Sequence, residues 1–206
     1  MIFTPVCTNL IGMPKRILIV QGHPDPSAQH FGHALAEAYE KGARASGFEV
    51  HTIEVAQLDF PLLRSYADFY TAPAPDIIQQ CQEEIRRAEH ILIIYPLWLG
   101  SMPALLKGFL EQTLRPGFAM QPEQNGKVWK KLLVGKSARI VVTMGMPALI
   151  YRWYFRAHSL KSLERNILHF TGIKPVRESL IGMVEAGAAR RQKWLAKMYQ
   201  LGKAGT

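Results

Sequence analysis

The sequence predicts an α/β domain: a doubly wound, five-stranded parallel sheet in the order 2-1-3-4-5, with helices on both faces. Three observations predict it. Short β-branched runs alternate five times with segments of helical period. Three of those runs are continuously apolar, as a parallel strand covered on both sides requires. The loops after the first, third and fourth runs concentrate glycine, proline or aromatic residues at the edge where such a sheet binds ligands.

Residues 1–13 show neither helical nor strand period and read as a loose N-terminal extension to a single domain over 14–206. The first strand covers 17–20, and its loop, 21–30, leads into a helix over 31–46. The second strand, 50–55, is joined by a long connection, 56–75, to a helix over 76–89. The third, 91–95, ends in Pro96-Leu97-Trp98-Leu99-Gly100-Ser101-Met102 before a helix over 103–114. A second long connection, 115–137, carries Gly117-Phe118 and Asn125-Gly126-Lys127; connections of that length usually form functional rims or partner contacts. The fourth strand, 140–143, turns at Met144-Gly145-Met146-Pro147. A helix over 158–170, a strand over 176–183 and a last helix over 187–201 complete the chain, with Trp194, Leu195 and Met198 packing that helix on the sheet.

Composition narrows the function classes. With 206 residues, 48% hydrophobic and 20% charged, the chain is a folded globular domain. Its longest clean apolar runs, 91–94 and 140–142, fall far short of the roughly twenty residues of a membrane span, so no membrane insertion is expected. Cys7 and Cys81 make no disulfide scaffold and the start lacks an export pattern, which points to the cytoplasm. Residues 1–102 hold seven Lys and Arg against eleven Asp and Glu, a net of −4; residues 103–206 hold eighteen against five, a net of +13. Such a basic half suits an anionic partner without choosing one.

Several motif chemistries fail. The first loop has one glycine, Gly22, where a G-x-G-x-x-G turn needs three. Gly135-Lys136-Ser137 precedes a strand and has Lys130 five places before Gly135, so it is no phosphate loop. Ser101 lacks the flanking spacing of a nucleophile elbow. His30 and His33 lack a third ligand at matching spacing and read as exposed helix-start histidines, so no metal is expected. What remains is a crevice with a helix N-terminus below it and Trp98 beside it, parts compatible with a flavin's phosphate and ring. Trp98 read alone stacks on a ligand or simply packs.

The stretch Tyr95-Pro96-Leu97-Trp98-Leu99-Gly100-Ser101-Met102-Pro103-Ala104-Leu105-Leu106-Lys107-Gly108-Phe109, followed by Pro116-Gly117-Phe118-Ala119, resembles the NAD(P)H:quinone oxidoreductase family of flavodoxin-like proteins. Gly22-His23-Pro24, Asp59-Phe60-Pro61, Thr143-Met144-Gly145, Tyr151 and Ile167-Leu168-His169-Phe170-Thr171-Gly172 follow in family order, from about residue 15 to residue 183. The resemblance implies non-covalent FMN or FAD, NAD(P)H as co-substrate, and a ping-pong transfer of two electrons as hydride through flavin N5 to a quinone or similar acceptor. It implies that the backbone at Pro96, Leu97 and Trp98 lines the N5 edge, and that the turn at Thr143, Met144, Gly145 and Met146 reaches the pyrimidine edge. Tyr151 and His158 fall at or beside its active-site tyrosine and histidine, where they would balance charge and supply protons; Tyr151 also sits among Trp153, Tyr154 and Phe155, a spacing equally typical of core. His23 and Phe31 join the cofactor set. The family's Ser-Phe-Asn before the first helix is here His30-Phe31-Gly32, with Ser27 or Gln29 as the substitutes at the phosphate, and Leu99 replaces a second aromatic of the pocket wall.

The resemblance also implies a homodimer whose pocket draws on both subunits, with 115–137 crossing between them. The basic half suits the phosphates of NADPH or FAD. Three rivals remain: a flavodoxin-type electron carrier, which the pI of about 9.7 opposes because such carriers are usually acidic; a flavin-binding regulatory subunit of a membrane cation-efflux system; and a nucleic-acid binder resting on Lys127, Lys130, Lys131, Lys136, Arg139 and the 190–197 stretch. No interleaving of aromatic and basic residues supports the last, so no nucleic-acid partner is expected.

Overall fold

The computed structural model describes residues 14–27, 30–122 and 129–206; the expected extension 1–13 lies outside them, as do Gln29 and Asn125-Gly126-Lys127. In chain order the elements are β1 (Arg16–Gln21), α1 (Phe31–Ala45), β2 (Glu49–Glu54), α2 (Tyr66–Tyr70), α3 (Asp76–Arg87), β3 (His90–Pro96), α4 (Ala104–Thr113), β4 (Met120–Pro122) and β5 (Trp129–Lys131). They continue with β6 (Ser137–Thr143), α5 (Ala148–Trp153), α6 (His158–Lys161), α7 (His169–Thr171), β7 (Val176–Ile181) and α8 (Ala188–Ala204). The main sheet runs β2-β1-β3-β6-β7, parallel throughout. Counting only its own strands, that is the expected 2-1-3-4-5.

The three continuous apolar runs are its three central strands, buried almost end to end. Successive strand side chains point to opposite faces, so each run feeds two cores. Leu18, Val20, Ile91, Ile93, Ile140 and Val142 pack with α3 and α4 on one side. Ile17, Ile19, Leu92, Ile94 and Val141 pack with α1 and α8 on the other, where Met198 is buried and Trp194 and Leu195 lie against it. Edge strand β2 is less buried, Val50 feeding the α1–α8 core and Ile53 the opposite one while Glu49 and His51 are exposed.

Both long connections contain structure that periodicity did not show. Residues 56–75 hold α2, started by a capping box in which the Ser65 hydroxyl accepts from Asp68 N–H and the Asp68 carboxylate accepts from Ser65 N–H. Within 115–137, Met120–Pro122 and Trp129–Lys131 pair antiparallel as β4 and β5. The helix expected over 158–170 forms as α6, a π-type stretch over Ser162–Leu168, and α7. Its buried leucines explain the difference, since Leu163 and Leu168 are five apart and share a face when the hydrogen bonds run to the fifth residue. Among the described residues no helix is long and apolar enough to cross a membrane.

Helices α1 and α8 touch backbone to backbone. A Cβ on Gly42 would lie 2.0 Å from Tyr199 O, and one on Gly202 would lie 2.0 Å from Tyr39 O. Neither neighbour is a side chain that can rotate away. Gly42→Ala and Gly202→Ala are therefore expected to pry the helices apart and destabilise the fold by about 2 kcal/mol or more, despite alanine's better helix propensity. Denaturant midpoints check this; an unchanged or raised midpoint would contradict the close approach.

Candidate cofactor-binding site

Three loops meet at the carboxyl ends of β1, β3 and β6, around the point where the winding of the sheet reverses. The first begins at Gly22, whose N–H donates 2.8 Å to Ile94 O and whose missing Cβ leaves room for Leu106 of α4. Asp25 then ties the loop together. Its N–H donates to His23 Nδ1 (3.1 Å), its carboxylate accepts from Ser27 N–H (2.9 Å), and Oδ2 meets His30 Nε2 at 2.7 Å. The bond to His30 holds the Asp25 carboxyl down at about 2.

That closure folds His23 back over the start of α1. The His23 and His30 rings stack at 3.8 Å with 15° between planes, and His33 completes the cluster 5.5 Å from His23 and 5.9 Å from His30. Sequence reading took His30 and His33 as exposed residues; His30 is exposed, but the His33 side chain is largely buried beside it. Burial, then the neighbouring rings, lower the pKa of both His23 and His33. His30 occupies the N-cap position of α1 without capping it, and the first turn has no acidic residue. Beneath lies Gln21, 1% exposed, whose Oε1 accepts from His23 N–H while Nε2 is buried without a partner. Ser27 is exposed with its hydroxyl 3.5 Å from His30 Nε2, and Phe31 is held under the Arg191 guanidinium at 4.8 Å.

The second loop is pinned to the third strand's neighbour by Leu97 N–H donating to Thr143 O at 2.8 Å. Trp98 and Ser101 exchange both backbone bonds at 2.9 Å around Leu99 and Gly100, each with positive φ (47° and 77°). This tight turn thrusts Leu99 fully into solvent and leaves Trp98 half exposed, edge-on to His23 at 5.9 Å. In the third loop Met144 N–H donates to Ile181 O and Met183 N–H to Met146 O, and Gly182 leaves no space for a Cβ beside Met146 O and Ala148 N. At Gly145, by contrast, a Cβ would meet nothing within 4 Å. The open backbone at Gly145, the solvent-facing Trp98 and Leu99, the uncapped α1 and the orphaned Gln21 amide fit a flavin nucleotide: apolar surface for the ring and donors for the phosphate.

Two residues stand apart from this convergence. Tyr151, in α5, is buried; its hydroxyl shares a 2.7 Å bond with Ser159 Oγ and accepts from Leu160 N–H at 3.2 Å. It ties α5 to α6. His158 begins α6 and is exposed, beyond the left-handed pair Arg156 and Ala157. Around Tyr151, Leu149, Trp153, Tyr154 and Phe155 are exposed apolar side chains. Sequence reasoning missed the histidine cluster and Gln21; the signal was three histidines within eleven positions around the first loop.

An α/β sheet of this order, with its loops gathered at the reversal point, is a ligand-binding doubly wound protein. Residues 15–201 match the model of a family described by its flavodoxin-like fold, and the chain belongs to that family. A Haemophilus influenzae protein named as an uncharacterized NAD(P)H oxidoreductase is 31% identical over 169 residues, 80% of this chain and 82% of its own. The Escherichia coli glutathione-regulated potassium-efflux system ancillary protein KefG is 30% identical over 144 residues, 70% of this chain and 66% of its own. In structure, an FMN-dependent NADH-azoreductase from Bacillus anthracis, solved in complex with FMN, is 14% identical and superposes over 92% of this chain and 98% of its own, with a TM-score of 0.73.

If Tyr151 acts through these contacts, Tyr151→Phe leaves Ser159 and Leu160 N–H without their partner. The expected loss is about 1–3 kcal/mol of stability, read from denaturant unfolding. A variant of full stability would mean that the hydroxyl serves something other than the fold.

Proposed function

We propose that the protein is a flavin-dependent NAD(P)H oxidoreductase that passes two electrons to a quinone or a similar small acceptor in a ping-pong cycle. The convergence of three loops around half-exposed Trp98 and open Gly145 carries the reading, and the oxidoreductase names among its relatives support it. When bound, FMN or FAD supplies reversible two-electron chemistry, taking a hydride from NAD(P)H and passing the pair to the acceptor.

The protein's own part is to bind, orient and balance charge. Pro96, Leu97 and Trp98 present backbone and an indole face along one edge of the crevice, and Thr143, Met144, Gly145 and Met146 supply the opposite edge. His23, Ser27 and Phe31 serve the phosphate, with Gln29 a candidate from the sequence alone, and Leu99 the outer wall. His158, exposed at the rim, is the residue able to exchange a proton with solvent. Tyr151 holds the corner that carries it. The exposed apolar side chains of Leu99, Leu149, Trp153 and Tyr154 fit a second copy of the chain covering them, as a homodimer.

Purified protein is expected to be yellow, to bleach with NAD(P)H and to recover its colour with a quinone, giving parallel double-reciprocal plots. Trp98→Ala should weaken flavin binding by about 1 kcal/mol, near five-fold, and His158→Ala should slow turnover by about a hundred-fold if it is the proton donor. Protein that reconstitutes with neither FMN nor FAD would defeat the reading. The KefG likeness favours a second reading, an ancillary flavoprotein of a membrane efflux system. Colour without turnover, together with co-purification on a membrane transporter, would select it.

A further inference from the structure

At the end of the sheet opposite the crevice, α1 covers a buried histidine that the proposed chemistry does not use. His90, the first residue of β3, is 1% exposed. Its Nδ1 shares a 2.8 Å bond with the Ser137 hydroxyl at the start of β6, while Nε2 is buried without a partner among the described residues. The Tyr39 ring of α1 stacks on it, 21° from parallel at 6.5 Å, with its own hydroxyl buried and unpartnered in the same way.

The charges that act on this imidazole are positive: Lys15 ahead of β1, Arg139 in β6 and Arg177 in β7. The acceptors nearby are engaged elsewhere. Glu89, the preceding residue, accepts from Arg16 N–H at 3.2 Å, Glu178 beside Arg177 pairs with Arg152, and Thr206 O at the end of the chain accepts from Arg139 Nε at 2.8 Å. Lys15 is fixed in place by Gly205 O, to which its Nζ donates at 2.7 Å. Tyr39 offers no counter-charge, because burial raises its pKa, and its ring lies past the roughly 6 Å within which an aromatic face steadies a cation. Burial first, then the three cations, pushes the His90 pKa down to about 3.

We propose that His90 is an acid latch of the fold: while neutral it lets the α1–α8 layer close on the amino end of the sheet, and it takes up a proton only when that layer opens. The latch is independent of what the crevice binds. Both helices must move together, since Tyr39 closes one face of the imidazole and the backbone of Tyr39 is in turn pressed against Gly202 of α8.

An imidazole in water takes its proton near pH 6.5, and the buried one does so only far below, so between those limits the open form binds one more proton than the closed form. The stability this group confers is therefore complete above about pH 7 and is lost as pH falls, the unfolding constant rising toward ten-fold per unit below about pH 6. From pH 6.5 to pH 4.5 one such group multiplies that constant by about fifty. His23 and His33, whose pKa values are also lowered, act in the same direction, so only the difference from a variant reads His90.

The test follows the sequentially assigned His90 ring by NMR in the folded protein from about pH 7.5 to about pH 4.5, and measures denaturant unfolding of wild type and His90→Asn over that range. Asparagine can keep the bond to Ser137 and does not titrate. A ring resonance that holds its neutral position, with a wild-type unfolding constant that rises about fifty-fold more than the variant's between pH 6.5 and pH 4.5, supports the latch. A resonance that titrates near pH 6.5, or the same pH slope in both proteins, overturns it. The slope carries the comparison, because losing the imidazole lowers stability at every pH. Should the variant fail to fold, the wild-type resonance decides alone: unshifted, it supports the latch, and titrating, it overturns it.

Discussion

The sheet's two-sided burial is the constraint from which the rest follows. Because β1, β3 and β6 are covered on both faces, their middle residues are closed to solvent and substrate. Chemistry is therefore exported to the strand ends. There the parallel arrangement brings three loops to one edge, and each loop is fixed by main-chain bonds to its neighbour: Gly22 to Ile94, Leu97 to Thr143, Met144 to Ile181. The site inherits its rigidity from the ladder rather than from its own side chains, which leaves Trp98 and Leu99 free to face outward.

The basic half of the chain has a structural share in this architecture. Lys136 donates to Arg86 O and Ala88 O at the end of α3, where the helix dipole favours a cation. Lys131 donates to His169 O, and Arg139 to Thr206 O and Ser179 Oγ inside the fold. Residues that counted toward a nucleic-acid surface are thus occupied with closing carbonyls. Arg191, by contrast, reaches from the basic half to Phe31 in the acidic one, so the two halves meet at the start of α1.

Strand identity, order and the loops of interest were legible because each depends on a local signal. A continuous apolar run marks a strand covered on both faces, and Gly-Pro-aromatic clusters mark the turns. What could not be read depends on contacts made only after folding. The Leu163 to Leu168 interval looks like a break in helical period until the π-type stretch restores the face. The β4–β5 pair has three residues in each strand, too few to show alternation. Tyr151 and the aromatics beside it have the same residue types in sequence, yet one is buried and Trp153 and Tyr154 are exposed, a division set by Ser159 and Leu160 across the turn. The histidines were visible one by one, but their stacking arises because Asp25 bends the loop until positions 23 and 30 coincide.

That bend also explains an apparent defect. A Ser, Asn or Asp at an N-cap is worth about 1 kcal/mol to its helix over a residue that cannot bond back, and His30 provides no such bond. The donors at the start of α1 are left for something else to satisfy. Natural sequences break local rules of this kind at functional sites, and the Gln21 amide nitrogen beneath the same turn is buried without a partner among the described residues. An uncapped helix start and a buried amide nitrogen without a partner thus sit together at the carboxyl end of β1, the edge of the sheet where a doubly wound fold takes its ligands.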